Sequence, residues 1–115
     1  MRCFEDAIVW QRSQDLAVIV YEAFAQNKDY GFRDQLCRAS VSISNNIAEG
    51  IDRHTTKELK NFLYIAKGSC AETRSMLYLA YRLKYISEAT RDHLIQESKE
   101  ITYMLIAFIK NLRTT

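Results

Sequence analysis

The sequence predicts an all-α fold, an antiparallel up-down-up-down four-helix bundle, from three observations. The chain has no proline and only three glycines, Gly31, Gly50 and Gly68, so the punctuation of a strand-and-turn architecture is missing. Apolar residues recur at intervals of three and four through four separate stretches. The breaks between those stretches are short, which makes consecutive helices antiparallel neighbours. At 115 residues, 48% hydrophobic and 26% charged, the chain reads as one domain over residues 1–115 with a core of its own.

The first helix is expected from about Glu5 to Gln26. Ile8, Leu16, Ile19, Val20, Ala23 and Phe24 supply its apolar stripe, and Glu5 and Asp6 stand at its start, where carboxylates complement the helix dipole. Trp10 and Tyr21 fall at the flank of the stripe. Asn27, Lys28 and Asp29 break the pattern, and Asp29 can cap the next helix.

The second helix, Tyr30 to Glu49, has helical spacing but an unusual composition. Phe32, Leu36, Ile43 and Ile47 face a core, with Ala39 and Ser40 between them. Ser40, Ser42, Ser44, Asn45 and Asn46 are middling helix formers that compete for backbone hydrogen bonds. So many small polar groups in one helix point to a surface used for close contact. Gly50 suits a left-handed C-terminal cap.

Thr55 and Glu58 match a capping box, each side chain answering the other's backbone amide. The third helix then runs from Thr56 to about Lys84, roughly 43 Å at 1.5 Å per residue. Its core line is Leu59, Phe62, Leu63, Ala66, Cys70, Thr73, Leu77, Ala80 and Leu83. Gly68, Ser69 and Ala71 sit mid-helix, where small side chains let another helix approach, a packing reason for a glycine that costs about 1 kcal/mol against alanine. Ser87 caps the fourth helix, Glu88 to Leu112, with a seam of Leu94, Ser98, Ile101, Leu105, Phe108 and Leu112.

Composition narrows the chemistry. His54 and His93 lie on different elements, and no Cys-x-x-Cys, His-Glu-x-x-His or paired Glu-x-x-His spacing occurs, so neither a metal nor another cofactor is expected. Cys3, Cys37 and Cys70 are an odd, widely spaced set that fits reduced thiols and a cytoplasmic location. No signal-peptide pattern and no 18-residue uncharged run is present, so no membrane partner is expected. Cys37 beside Arg38 could be read as an activated thiol, but a small packed residue is the preferred reading. No catalytic residue is assigned.

Glu49 and Arg53 leave three readings open: a poised carboxylate, an exposed i,i+4 pair, or a buried pair with Arg38 or Arg74 from a packed helix. The third is preferred. Arg38, Asn45, Asn46, Glu49, Gly50, Arg53 and Gly68 are thus assigned to structure or a subunit interface. The net charge of +2 does not by itself imply nucleic acid, but the positive excess is uneven. Lys60, Lys67 and Arg74 are spaced seven apart on one face of the third helix, with Arg82 and Lys84 beyond. Tyr64, Tyr78 and Tyr85 form a neighbouring aromatic stripe, and Tyr81 continues the basic line. Basic groups interleaved with aromatics can follow phosphates and stack on bases. On the residues alone the preferred reading is solvated lysines beside tyrosines that fill an interface.

Tyr30-Gly31, Gln35-Leu36, Arg38-Ala39, Ser42-Ile43, Asn46-Ile47-Ala48-Glu49-Gly50 and Arg53 carry a family resemblance, joined by Phe62-Leu63, Ala66, Gly68-Ser69 and Glu72. Together they resemble the four-helix-bundle proteins encoded in intervening sequences of bacterial large-subunit ribosomal RNA genes. The resemblance covers nearly the whole chain. The family usually carries an arginine where Cys37 stands, a proline at Ser44, a leucine at Phe32 and a glycine at Lys84. Losing the proline should let the second helix run straighter. The resemblance implies a bundle that assembles into a ring, commonly a homopentamer, and kinship with the accessory protein of diversity-generating retroelements. It therefore implies a non-enzymatic scaffold with an RNA or nucleoprotein partner; the alternative is a purely structural or protein-binding homo-oligomer.

Overall fold

A computed structural model describes residues 3–112. A 3-10 turn, Phe4–Asp6, precedes four helices: α1 Ile8–Phe24, α2 Tyr30–Ile51, α3 Thr56–Arg82 and α4 Glu88–Asn111. Residues 52–55 can span at most about 14 Å, against about 33 Å for α2, so α3 has to run back along it. Side chains confirm the direction. Gln14 meets Ser44 and Phe24 meets Phe32; Ser42 meets Ser69, and Gly50 meets Leu59 and Phe62. Each helix lies beside its two sequential or terminal neighbours, α1 closing on α4, while the diagonal pairs bring no Cα atoms within 8 Å of each other. The result is an up-down-up-down rod of 48 × 21 × 20 Å.

The core is a column of residues wholly withdrawn from solvent, among them Leu16, Val20, Phe24, Leu36, Ile43, Ile47, Leu63, Leu77, Leu94, Ile101 and Leu105. Burying each such side chain contributes about 1.5–3 kcal/mol. Ser13, Ser40, Ser44, Thr73 and Ser98 are buried beside them, each hydroxyl donating to a carbonyl three or four residues earlier in its own helix. Small, internally satisfied residues of this kind let helices pack closely without orphaned polar groups.

Several expected details shift. The inward line of α1 is Val9, Ser13, Leu16, Ala17, Val20 and Phe24, whereas Ile8 and Ala23 are exposed. The helix starts only after Ala7, and Ser13 takes a core place that hydrophobicity does not mark. Asp29 caps α2 as expected, accepting from the Phe32 amide at 3.3 Å. Ser44 sits inside a continuous α2. Gly50, however, is helical and not a left-handed cap. A Cβ there would stand 2.8 Å from Phe62 Cβ, so it is a point of close approach between α2 and α3. Gly68 has the opposite character: it is exposed, and a Cβ would meet nothing within 4 Å, so no packing inside the bundle accounts for it.

Thr55 caps α3 through its hydroxyl, accepting from the Glu58 amide at 3.1 Å, while the Glu58 carboxylate takes the Thr55 hydroxyl instead of its backbone amide. The helix stops at Arg82, and Leu83 is exposed rather than core. Lys84 follows with φ 64°, its amide bonded to Tyr81 O and the Tyr85 amide to Ala80 O, both at 2.9 Å. This is a Schellman turn with lysine in the left-handed place that glycine usually fills. In α4, Ile95 and Ile109 join the core, and Phe108 and Leu112 are only partly buried.

Candidate nucleic-acid interface

The heptad-spaced line of α3 runs along its seam with α4. Arg74 donates to Thr102 Oγ1 at 3.2 Å, and Tyr81 lies under the Arg91 guanidinium at 4.2 Å from the ring centre. Two of the four members of the line thus face α4, and Lys67 and Lys60 continue it at the same register, both half-buried. Across the seam α4 contributes Lys99 and Arg91, which line a cleft of about 420 Å³ with Tyr78, Asp92, Ile95 and Gln96. Arg91 pairs with Asp92 at 2.9 Å. Sequence reasoning missed Lys99 and Arg91 because their place beside α3 follows from the register of two helices, not from spacing within one.

The expected tyrosine stripe divides. Tyr64 and Tyr78 are about half exposed, at 53% and 48%. Tyr85 instead belongs to the end of the bundle. Its hydroxyl donates to Asp29 Oδ2 at 2.6 Å, and its ring packs edge-on against Phe32 at 5.4 Å. The bond holds the Asp29 carboxyl below the usual range and pushes the Tyr85 phenol up. Arg82 and Lys84 are exposed at the same end.

The preferred pairing of Glu49 with Arg38 or Arg74 is not formed. Glu49 is 61% exposed and reaches Arg53 at 3.7 Å, the i,i+4 pair, while Arg53 also approaches Glu58 and lies over the Phe62 ring at 4.8 Å. The Ser42–Ser69 bond at 2.9 Å, with Asn46 donating to Ser42, ties α2 to α3. Gln35, Arg38, Ser42, Ser69 and Glu72 line a groove beside that bond, and Asn45 is exposed on α2. The small polar residues of α2 therefore serve partly in the α2–α3 contact and partly on open surface.

No assembled nucleophile emerges. Cys37 is buried against a cleft lined also by Tyr21, Arg33, Asp34, Arg38 and Val41, and burial pushes its thiol up, with Arg33 and Asp34 opposing each other nearby. Cys70 is buried too, its thiol pushed up by burial; it donates to Ser98 O at 3.1 Å and accepts from Thr102. Glu49 borders a second cleft with Asp52, Arg53 and His54, where no thiol or hydroxyl nucleophile is present. Among the described residues no group of three or more His, Cys, Asp or Glu could hold a metal, and no helix is long and apolar enough to cross a membrane.

A family model described as 23S rRNA-intervening sequence protein matches residues 5–107. The chain belongs to that family. Among solved structures it is similar to a protein with unknown function from the S23 ribosomal protein family of Bacteroides thetaiotaomicron VPI-5482, with 29% identity and a TM-score of 0.85. That match covers 90% of this chain and all of the other. No curated protein matches the chain. At Lys84, where the resemblance leads one to expect a glycine, a side chain occupies a left-handed turn position.

Proposed function

We propose that the protein is a non-enzymatic, self-associating helical-bundle scaffold that binds RNA along the seam between α3 and α4. One observation carries the reading: the basic line of α3 meets further cations of α4 across the seam, at Lys99 and Arg91, with Tyr64 and Tyr78 exposed alongside. Such a surface neutralises phosphates through its cations and offers rings to unpaired bases. Lys60, Lys67, Arg74 and Lys99 would follow the backbone, and Arg82 and Lys84 extend the positive surface to the bundle's end. Titration with a single-stranded RNA over rising salt tests this. Affinity should fall linearly on a log–log plot, and Lys67→Glu with Arg74→Glu should weaken it at least tenfold. Binding that is absent, or flat from low to physiological salt, sinks the reading.

The outward face of α3 supports the self-association. Ile65 and Leu79 are each near half exposed, with Gly68 and Ala71 between them along the helix. A second copy can approach such a face closely, and a ring requires it to meet a different face of its neighbour. A light-scattering mass above the 13.4 kDa monomer, lowered by Ile65→Glu or Leu79→Glu, is expected. If the oligomer forms but seam reversals leave its partner binding intact, the protein is a structural homo-oligomer without nucleic-acid affinity.

A further inference from the structure

The clefts beside α2 and the α3–α4 seam each include a carboxylate: Asp34, Glu49 with Asp52, Glu72, or Asp92. The cleft at the α3–α4 turn does not. It measures about 500 Å³ and is lined by Tyr81, Arg82, Lys84, Tyr85, Ile86 and Ser87. Neither Arg82 nor Lys84 has a carboxylate partner among the described residues.

Two further features set this cleft apart. Lys84 holds φ 64°, a conformation that side chains disfavour, so its ammonium is carried on a fixed turn and not on a frayed helix end. Both rings are also held by residues outside the cleft lining. Tyr85 is fixed by Asp29 at 2.6 Å and by Phe32 edge-on, and Tyr81 has Arg91 over one face. Two unpaired cations beside two immobilised phenol rings, in a volume suited to a small molecule, match the parts of one nucleotide.

We infer that the turn cleft binds a single unpaired nucleotide, its phosphate held by Arg82 and Lys84 and its base set against the tyrosine rings. The inference deepens the RNA reading and rests on it for its biological ligand. In cells the nucleotide would belong to a single-stranded RNA segment reaching the bundle's end.

The test is a titration of the intact protein with adenosine 5′-monophosphate, followed by NMR of the Tyr81 and Tyr85 ring signals. Saturable shifts are expected, with affinity at least tenfold above that of inorganic phosphate or of adenosine. Lys84→Gly and Arg82→Gln should each lower that affinity at least tenfold. Lys84→Gly also frees the turn of its steric conflict, so it should melt no lower than the parent, and its loss of binding cannot be loss of fold. No shift with the nucleotide, equal binding of inorganic phosphate, or full affinity in Lys84→Gly would each overturn the assignment. The RNA titration and the mononucleotide titration fail separately. Salt-flat RNA binding with intact ring shifts removes the seam reading alone, and the converse removes the cleft alone.

Discussion

Three glycine-type positions show how little of a residue's meaning lies in its identity. Gly50 stands where a Cβ would press on Phe62 Cβ, which is anchored directly to the α3 backbone and cannot swing aside. Gly50→Ala should therefore destabilise, because overpacking of about 1–3 kcal/mol outweighs a helix-propensity gain of about 1 kcal/mol. Within one chain Gly68 has open space around it, so Gly68→Ala should raise the stability of the monomeric bundle by about 1 kcal/mol, measured by urea unfolding of a monomeric Ile65→Glu background. Equal signs for the two substitutions would contradict this account. Lys84 completes the set: a side chain in the left-handed region costs about 1–2 kcal/mol relative to the glycine that turn prefers. Helical spacing around these positions was legible, yet the three local roles were not, since each depends on what another segment places beside the backbone.

At the level of the helices, two polar ties cross between elements far apart in the chain. Arg12 of α1 donates to Glu97 and, at 2.6 Å, to Glu100 of α4, and Tyr85 ties the α3–α4 turn to Asp29 before α2. Arg12 holds the Glu100 carboxyl below its ordinary value, as Tyr85 does for Asp29. Both folded pKa values are depressed, so their contribution is present above the unfolded values near pH 4 and is lost as pH falls through the folded ones. Melting temperature should drop on that limb, and Asp29→Asn or Glu100→Gln should flatten it. Tyr85 has the opposite sign. Its raised pKa makes its contribution complete below about pH 10 and lost as pH rises through the folded value. An acid limb unchanged by both substitutions would show the ties to be idle.

For the molecule as a whole, the three thiols offer a direct reading of the core. Cys37 and Cys70 are buried and Cys3 is half exposed, and no disulfide links them. In native buffer Cys3 should react first with a thiol reagent, slowed by its bond to Asp6, which pushes its thiol up, whereas the other two should react only through opening of the bundle. Rapid labelling of Cys37 would show that the α1–α2 cleft opens far more easily than its packing implies. The cleft itself was not legible. Cys37 was recognisable as a packed residue, but Tyr21 and Ala25 reach its neighbourhood only because α1 folds back over α2.

The sequence by itself determined the four helices, their order and their antiparallel course, because apolar periodicity, caps such as Asp29, Thr55 and Ser87, and short breaks are all local properties. It also carried the family, since those residues are read in one dimension. Only the tertiary structure decided which cations share a surface, that Glu49 turns to Arg53 rather than to Arg38 or Arg74, and that Tyr85 leaves the stripe for Asp29. Those outcomes depend on helix rotation and register to within a few ångströms. A difference of one residue in either changes partners while leaving the hydrophobic pattern intact.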